Sequence, residues 1–388
     1  MRGSALRSIY ARMPNKLIYL DNAATTFPKP RAVVEEVKRC LERYCGNPGR
    51  GAHRLAMAAA ERIYDCRRLL SDFFGVGSPE RVVFVQNTTY ALNLAIKGML
   101  SPGDHVLISE LEHNAVRRPI LTLQEKGEIQ VDVFPVLGSS EAQLLQGIRQ
   151  RITPATRAIV CTHASNVCSV TLPIAAIGKL CRDRGLLFAV DAAQSAGTLP
   201  IDMSVMGIDA LAIPGHKGLY GIQGCGALAL SERFLPRPLL EGGSGVESIP
   251  IGMPALPPER YEAGTLPTPA IVGLAEGIRS LADGKAAQIA REERRLFFAL
   301  RERLLSLPDV VIYAKDAPGS VLLFNKKGVP AADLGRTLAQ KGICVRAGLH
   351  CAPMAHQALG TPEGGAVRVS FGRYNTLAHI DALWKALK

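Results

Sequence analysis

No apolar run in this sequence reaches the roughly 18–20 residues that a bilayer span needs, so no membrane-spanning helix is expected. The start of the chain carries Arg2, Arg7, Arg12 and Lys16 but lacks the apolar core of a secretory signal; a cleaved organelle-targeting peptide is the other reading of this basic stretch. The nine cysteines include no CxxC pair and no zinc-like spacing, so no metal centre is expected. Their odd number, in a chain too long to need covalent staples, argues against a disulfide framework and for a reducing, cytoplasmic setting. There is also no block of Lys and Arg. The net charge is +12, yet the basic residues alternate with Glu, as in REERRLFFALRERLL at 291–305, which is an amphipathic helix pattern. Nucleic-acid binding is therefore not expected. A basic pocket for an anionic cofactor or a carboxylate substrate accounts for part of the charge. Internal repeats and low-complexity tracts are likewise missing.

What is present is a chain of 388 residues with 47% hydrophobic content, enough for two domains or a large domain with a smaller partner. The 37 glycines and 25 prolines are scattered, which indicates many turns rather than disorder. Helices are expected over about 30–44 and 56–74, the first opened by Pro30, with the Gly/Pro-rich GNPGRGAHRL between them as a loop. A repeating pattern follows. RVVFV (81–85), HVLISE (105–110), TRAIVCTH (156–163), LLFAVD (186–191), DALAIPG (209–215) and GALAL (226–230) read as apolar strands, and helical stretches separate several of them. Continuous apolar strands alternating with helices predict a mostly parallel sheet covered on both faces. The pattern weakens across 236–269. The division drawn there gives a large α/β domain over 16–255 and a smaller α+β domain made of 1–15 and 256–388, with long helices over about 270–306 and antiparallel strands after them.

Ligands of open α/β sheets sit beyond the carboxyl ends of the strands, and there the chemically capable residues collect. Thr88 and Thr89 follow RVVFV at a helix start, where hydroxyls and free N–H groups suit a phosphate; a plain helix cap by Asn87 or Thr88 is the alternative. Asn166 follows TRAIVCTH. Asp191 and Gln194 follow LLFAV, and a carboxylate there needs a cationic or donor partner, or else caps the next turn. His216 and Lys217 follow DALAIPG. A desolvated lysine near positive charge becomes an amine nucleophile, whereas a lysine in a glycine-rich surface loop would be inert.

Taken together, LDNAATT (20–26), NTTYALN (87–93), EHNA (112–115), THASNV (162–167), DAAQSAG (191–197), GHKGLYG (215–221), YEAGT (261–265), RAGLHCAP (346–353) and VRVSFGRYNT (367–376) resemble the class-V aminotransferase group of fold-type I pyridoxal-phosphate enzymes. The resemblance is to their cysteine desulfurase and selenocysteine lyase branch, SufS-like, and covers nearly the whole chain. It implies a large domain with a seven-stranded, mostly parallel sheet. It implies pyridoxal 5'-phosphate joined to Lys217 as a Schiff base, with Thr88, Thr89 and His216 on the phosphate, Asp191 on the pyridine nitrogen, Gln194 on the phenolic oxygen and His113 stacked on the ring. Asn166 would lie near the cofactor oxygen or the substrate carboxylate. Thr265 would reach the phosphate of a neighbouring subunit, which implies a homodimer with shared sites. Cys351 would carry a persulfide, Arg368 would clamp the substrate carboxylate, and Arg346 and His53 would line the same pocket. Outside the resemblance, Arg368 also reads as an ordinary strand arginine and Cys351 as an ordinary thiol. Cys40, Cys66, Cys181 and Cys225 are expected to fill core.

The implied reaction converts L-cysteine to L-alanine and passes sulfur to an enzyme cysteine, with His113 assisting proton transfer, and then to an unidentified protein acceptor. Iron–sulfur cluster assembly, thionucleoside synthesis and selenium supply all fit that chemistry. A selenocysteine lyase or other β-lyase, a class-V aminotransferase, and an inactive scaffold on the same fold are the competing readings. One departure stands out: many relatives have serine where this chain has Pro214, two residues before His216, and proline offers a phosphate neither hydroxyl nor N–H.

Overall fold

The computed structural model describes residues 17–49, 51–246, 249 and 251–388. Its strands, in chain order, are β1 (Ile18–Tyr19), β2 (Val82–Val85), β3 (His105–Ser109), β4 (Gln130–Phe134), β5 (Thr156–Thr162), β6 (Leu187–Asp191), β7 (Ala210–Pro214), β8 (Gly226–Leu230), β9 (Val310–Tyr313), β10 (Val321–Lys326), β11 (Ile343–Cys344), β12 (Arg346–Gly348) and β13 (Ala366–Ser370). Seven of them form the main sheet in the order β2-β8-β7-β6-β5-β3-β4. All run parallel except β8, which is antiparallel to both neighbours.

The apolar runs exist because this sheet is buried on both faces. Along the central strands, alternate residues enter opposite cores. Leu107, Ile159, Phe188 and Leu211 face one side, while Val106, Val160, Ala189 and Ala212 face the other. From β3 the chain steps outward to β4, then returns to β5 on the other side of β3 and proceeds toward β2. This reversal makes a topological switch point between β3 and β5, and the loops leaving the carboxyl ends of the strands beside it build the site.

The second sheet is antiparallel, in the order β12-β13-β10-β9. Its core joins Leu322, Phe324, Val367 and Val369 to Phe297 and Leu300 of the helix Lys285–Leu305 and to Ile380 of the helix Leu377–Leu387. The start of the described chain is tied to this smaller part. β1 pairs with β11, and Asp21 bridges to Ser370. The helix Thr268–Arg279 belongs by packing to the large core, to which it gives Ile271, Leu274 and Ile278. It approaches so closely that a Cβ on Gly277 would lie 2.1 Å from the Leu219 carbonyl oxygen. Residues 1–15, expected to join the smaller domain, lie outside the described residues. Among the described residues, no helix is long and apolar enough to cross a membrane, and no group of three or more His, Cys, Asp or Glu side chains could hold a metal ion.

Candidate active site

A cavity of about 100 Å³ opens at the carboxyl ends of the central strands. Thr88, Thr89, His113, Asn166, Asp191, Gln194, His216 and Lys217 all line it, so eight of the residues singled out in the sequence meet in one place.

Each arrives on a defined piece of backbone. Beyond β2, Asn87 caps the helix Thr88–Met99 by accepting from Tyr90 N at 3.0 Å. The cap is therefore supplied by Asn87, and the Thr88 and Thr89 hydroxyls are left for a ligand. Beyond β3, His113 caps the helix Asn114–Glu125, its Nδ1 accepting from Ala115 N at 3.0 Å. With Nδ1 used as an acceptor, the neutral ring carries its proton on Nε2. Beyond β5, Asn166 donates from Nδ2 to the His350 carbonyl at 2.8 Å. At the end of β6, Asp191 is 2% exposed and its Oδ1 accepts from Ala193 N at 2.8 Å, so it caps its turn and still lines the cavity. Gln194 donates to the Ala23 carbonyl at 3.1 Å, which brings the LDNAATT segment against the site.

The stretch around Lys217 is rich in glycine. Gly215, Gly218 and Gly221 meet protein backbone. A Cβ on Gly215 would lie 2.5 Å from the Cys225 carbonyl oxygen, and one on Gly218 would lie 2.4 Å from that of Ala196. The loop is glycine-rich because it is pressed against its own chain, and that pressing holds Lys217 in place.

Burial dominates the electrostatics. It lowers the pKa of Lys217 to about 8, helped by Arg368 and Arg346 and opposed by Asp191. It lowers His113 to about 4, with Lys217, Arg346 and Arg368 adding repulsion. His216 falls to about 4 for the same reason, with Lys217 and Lys29 contributing. Asp191 is raised by burial, a trend that the Ala193 N–H and Lys217 oppose. At neutral pH both imidazoles are uncharged.

The RAGLHCAP segment closes one side. Cys351 is exposed, and Arg346 donates from Nη2 to its sulfur at 3.5 Å. The Cys351 carbonyl accepts from Asn114 N at 2.7 Å, immediately beside His113. His350 and Cys351 both have left-handed backbone, with φ of 52° and 57°. Such a conformation costs a non-glycine residue about 1–3 kcal/mol and persists only where surrounding contacts enforce it. Cys40, Cys66, Cys181 and Cys225 are all buried, whereas Cys344 is partly exposed.

Five of the expected site residues do not line the cavity: Cys351 and Arg346, just described, and Arg368, Thr265 and His53. Arg368 is buried, donating from Nη2 to Asp21 Oδ1 at 2.8 Å and from Nη1 to the Asn166 carbonyl at 3.0 Å, while its Nε has no partner among the described residues. Thr265 is exposed, and its neighbours Gly264 and Leu266 line a separate cavity of about 360 Å³ with Arg67 and Glu262. His53 is exposed and caps the helix Arg54–Phe74, accepting from Ala56 N at 3.3 Å.

The sequence reading missed Asp21, Lys29 and Glu112. Lys29 donates to Thr26 Oγ1 and to the His216 carbonyl, both at 2.8 Å. Glu112, next to His113 in the chain, is fully buried; its Oε1 accepts from Thr162 N at 2.9 Å and from Ser109 Oγ, and burial raises its pKa to about 8. Asp21 and Glu112 sit inside LDNAATT and EHNA, so the motifs marked the places but not the roles.

The donor set suits a molecule with an anionic group at one end, a basic ring nitrogen at the other and a carbonyl between them. Hydroxyls at a helix start and the His216 Nδ1, which has no partner among the described residues, serve the anion, Asp191 the ring nitrogen, and the buried Lys217 amine the carbonyl. Pyridoxal phosphate has that form, and the residues fit it.

Comparison with known proteins gives the same answer. Residues 18–383 match the family model described as aminotransferase class-V. A probable cysteine desulfurase of Methanothermobacter thermautotrophicus is 33% identical over 380 residues, covering 96% of this chain and 94% of that protein. One of Mycolicibacterium paratuberculosis is also 33% identical, over 96% of this chain, which spans only 55% of that longer relative. The apo structure of the cysteine desulfurase of Thermococcus onnurineus NA1 superimposes with a TM-score of 0.88 at 32% identity, covering 98% of this chain and 96% of the other. The chain belongs to the class-V aminotransferase family of fold-type I pyridoxal-phosphate enzymes and is related within it to the cysteine desulfurases.

Proposed function

We infer that this protein is a pyridoxal-phosphate-dependent cysteine desulfurase, which converts L-cysteine to L-alanine and places the sulfur on Cys351. The observation that carries this reading is the joining of an exposed thiol to the lysine cavity. The segment bearing Cys351 is bonded to Asn114, beside His113, and to Asn166, and His113 and Asn166 line the same cavity as Lys217.

Bound in that cavity, pyridoxal phosphate supplies the electron sink for charge released at the substrate Cα. The protein does the rest. Asp191 holds a positive ring nitrogen, and the Thr88–Thr89 helix start with His216 holds the phosphate. Lys217 Nζ anchors the cofactor and then takes up and returns the substrate Cα proton, a task suited to an amine with a pKa of about 8. Arg368 receives the substrate carboxylate, its guanidinium turning from Asp21 and the Asn166 carbonyl to present a planar fork of donors. The Cys351 thiolate, facing Arg346, attacks the substrate sulfur. The bond between that sulfur and Cβ breaks, a persulfide is left on Cys351, and the three-carbon remainder leaves as alanine once the substrate thiol's proton and the one held on Lys217 have passed to carbon, with His113 Nε2–H assisting as a hydrogen-bond donor to the sulfur.

The assembly reading is a homodimer in which Thr265 reaches the phosphate site of the second copy, with a protein as the final sulfur acceptor. Thr265 is exposed and away from its own chain's cavity, as that arrangement requires.

The test is to incubate the cofactor-loaded enzyme with cysteine, quench it, and weigh the peptide containing Cys351. A gain of one sulfur atom is expected. Cys351→Ala should keep the cofactor's absorbance and lose sulfur transfer, while Lys217→Ala should lose the absorbance of the lysine-bound cofactor. Alanine and sulfide released by Cys351→Ala at the wild-type rate would remove the persulfide role. Consumption of a 2-oxo acid in its place would point to transamination.

A further inference from the structure

Behind Cys351 runs a chain of side chains that the reaction described above does not use. His350 Nε2 lies 3.2 Å from the Arg346 carbonyl oxygen. His350 Nδ1 lies 3.0 Å from His356 Nε2, and His356 Nδ1 lies 2.9 Å from Thr361 Oγ1. The two rings are nearly parallel, with centroids 5.2 Å apart, and each histidine is 2% exposed.

The chemistry at one end fixes the direction of every bond. A carbonyl only accepts, so His350 carries its proton on Nε2 and its Nδ1 is an acceptor. His356 must then donate from Nε2, which leaves its own Nδ1 to accept from the Thr361 hydroxyl at 2.9 Å, closer than the His356 carbonyl oxygen that lies 3.3 Å from the same hydroxyl. The result is a one-way chain, Thr361 to His356 to His350 to the Arg346 carbonyl, with both rings neutral. The charges facing His350 are Arg346 and Arg368, and both oppose a proton on it.

The mechanical consequence lies at the thiol. His350 immediately precedes Cys351, and its ring is pinned to the backbone of Arg346, whose guanidinium donates to the Cys351 sulfur. The same imidazole thus ties together both ends of the Arg346–Cys351 turn. From behind, His356 anchors it to the short helix Pro353–Ala358, and Thr361 anchors His356. Two adjacent left-handed residues need such enforcement to stay where they are.

We propose that His356 and Thr361 are positioning residues for sulfur transfer, acting through His350 to hold the Cys351 sulfur against Arg346. This rests on the reading of Cys351 as the sulfur-accepting thiol. Neither His356 nor Thr361 lines the cofactor cavity, so their effect should fall on transfer to the thiol and not on cofactor binding.

The experiment uses the cofactor-loaded protein with His356→Ala, His356→Gln, Thr361→Val and Thr361→Ser. Three quantities are read: the steady-state rates with cysteine, the single-turnover appearance of persulfide on the Cys351 peptide, and the alkylation rate of that peptide by iodoacetamide across pH 6–9. His356→Ala should slow persulfide formation by about 10-fold to 100-fold, the usual scale for a reacting group displaced by about 1 Å. KM for cysteine and the cofactor absorbance should stay near wild type, and the pH profile of alkylation should move. Glutamine at 356 can still donate to His350 Nδ1 and should recover most of the rate. Thr361→Val should repeat the defect more weakly and Thr361→Ser should not. Should His356→Ala fail to fold, the Thr361 pair carries the test, because it differs only by a hydroxyl at a partly exposed position. Wild-type persulfide rates and alkylation profiles in both His356→Ala and Thr361→Val would overturn the proposal while leaving Cys351 as the acceptor. Absence of persulfide on Cys351 in the wild type would overturn the reading beneath it.

Discussion

Lys217 is a cation placed where a cation is poorly solvated, and its neighbours divide over it. Burial, Arg368 and Arg346 favour the neutral amine, while Asp191 favours the ammonium. Burial dominates, and the pKa falls to about 8. Only the neutral amine attacks a carbonyl, so the sign follows directly: uptake of the cofactor should accelerate as protons leave Lys217. Apoprotein mixed with pyridoxal phosphate should show a rate of lysine-bound absorbance that rises about tenfold per pH unit below about 8 and then levels off. A profile still climbing steeply near pH 10 would mean that Lys217 keeps the ordinary lysine value and that its burial does not govern its chemistry. His113 and His216, both lowered to about 4, remain neutral throughout that window and add no inflection of their own.

At the scale of elements, one buried ion pair joins three of them. Arg67, on the helix Arg54–Phe74, meets both carboxylate oxygens of Glu262 at 2.8 and 2.9 Å and also donates to the Val82 carbonyl; Glu262 accepts from Phe84 N at 2.6 Å. The helix, the edge strand β2 and the segment carrying Thr265 are thereby locked together. Removing one partner leaves the other charge largely buried and unpaired. Glu262→Ala should lower stability by about 3–5 kcal/mol, read from a denaturant midpoint, whereas a loss below about 1 kcal/mol would show that water reaches Arg67. Nothing in the sequence announced this pair, because residues 67 and 262 are joined only by the fold. The central strands were legible for the opposite reason. A strand buried on both faces has to be apolar at every position, and GALAL and LLFAV, repeated at intervals between helical stretches, meet that demand. The strand QVDVF at 130–134 escapes such reading: it lies at the sheet's edge and is largely exposed, so its composition carries little signal. The helix Asn114–Glu125 was obscured by Pro119 within it. Strand ends predicted where the cavity would be, but the placement of Arg368, paired with Asp21, comes from the pairing of β13 with β10 and β12 and lies beyond local reading.

Across the whole molecule, the join between the large and small parts buries ionisable groups, and their protonation makes stability depend on pH in both directions. His163 and His356 fall to about 4 and His350 to about 3, chiefly through burial. An unfolded histidine takes up a proton near pH 6.5 and these do not, so their contribution is present above that value and is lost as pH falls toward 4. Glu293 acts oppositely. It sits on the helix Lys285–Leu305, 5% exposed, beside a cavity of about 130 Å³ lined by Ala164, Gln194 and Ser320, and burial alone raises its pKa to about 8. The folded protein therefore holds a proton on Glu293 that the unfolded chain releases near pH 4.5. That stabilisation is complete below about 4.5 and disappears as pH rises through about 8. Glutamine is nearly the same shape and has no proton to lose. The Tm of the cofactor-loaded Glu293→Gln protein, measured against wild type, should thus be level with pH below about 4.5. From there to about 8 it should gain on wild type by several degrees. A Tm difference that stays constant over this range would mean that Glu293 is ionised in the folded protein, which its burial without an ionic or hydrogen-bonding partner among the described residues makes costly.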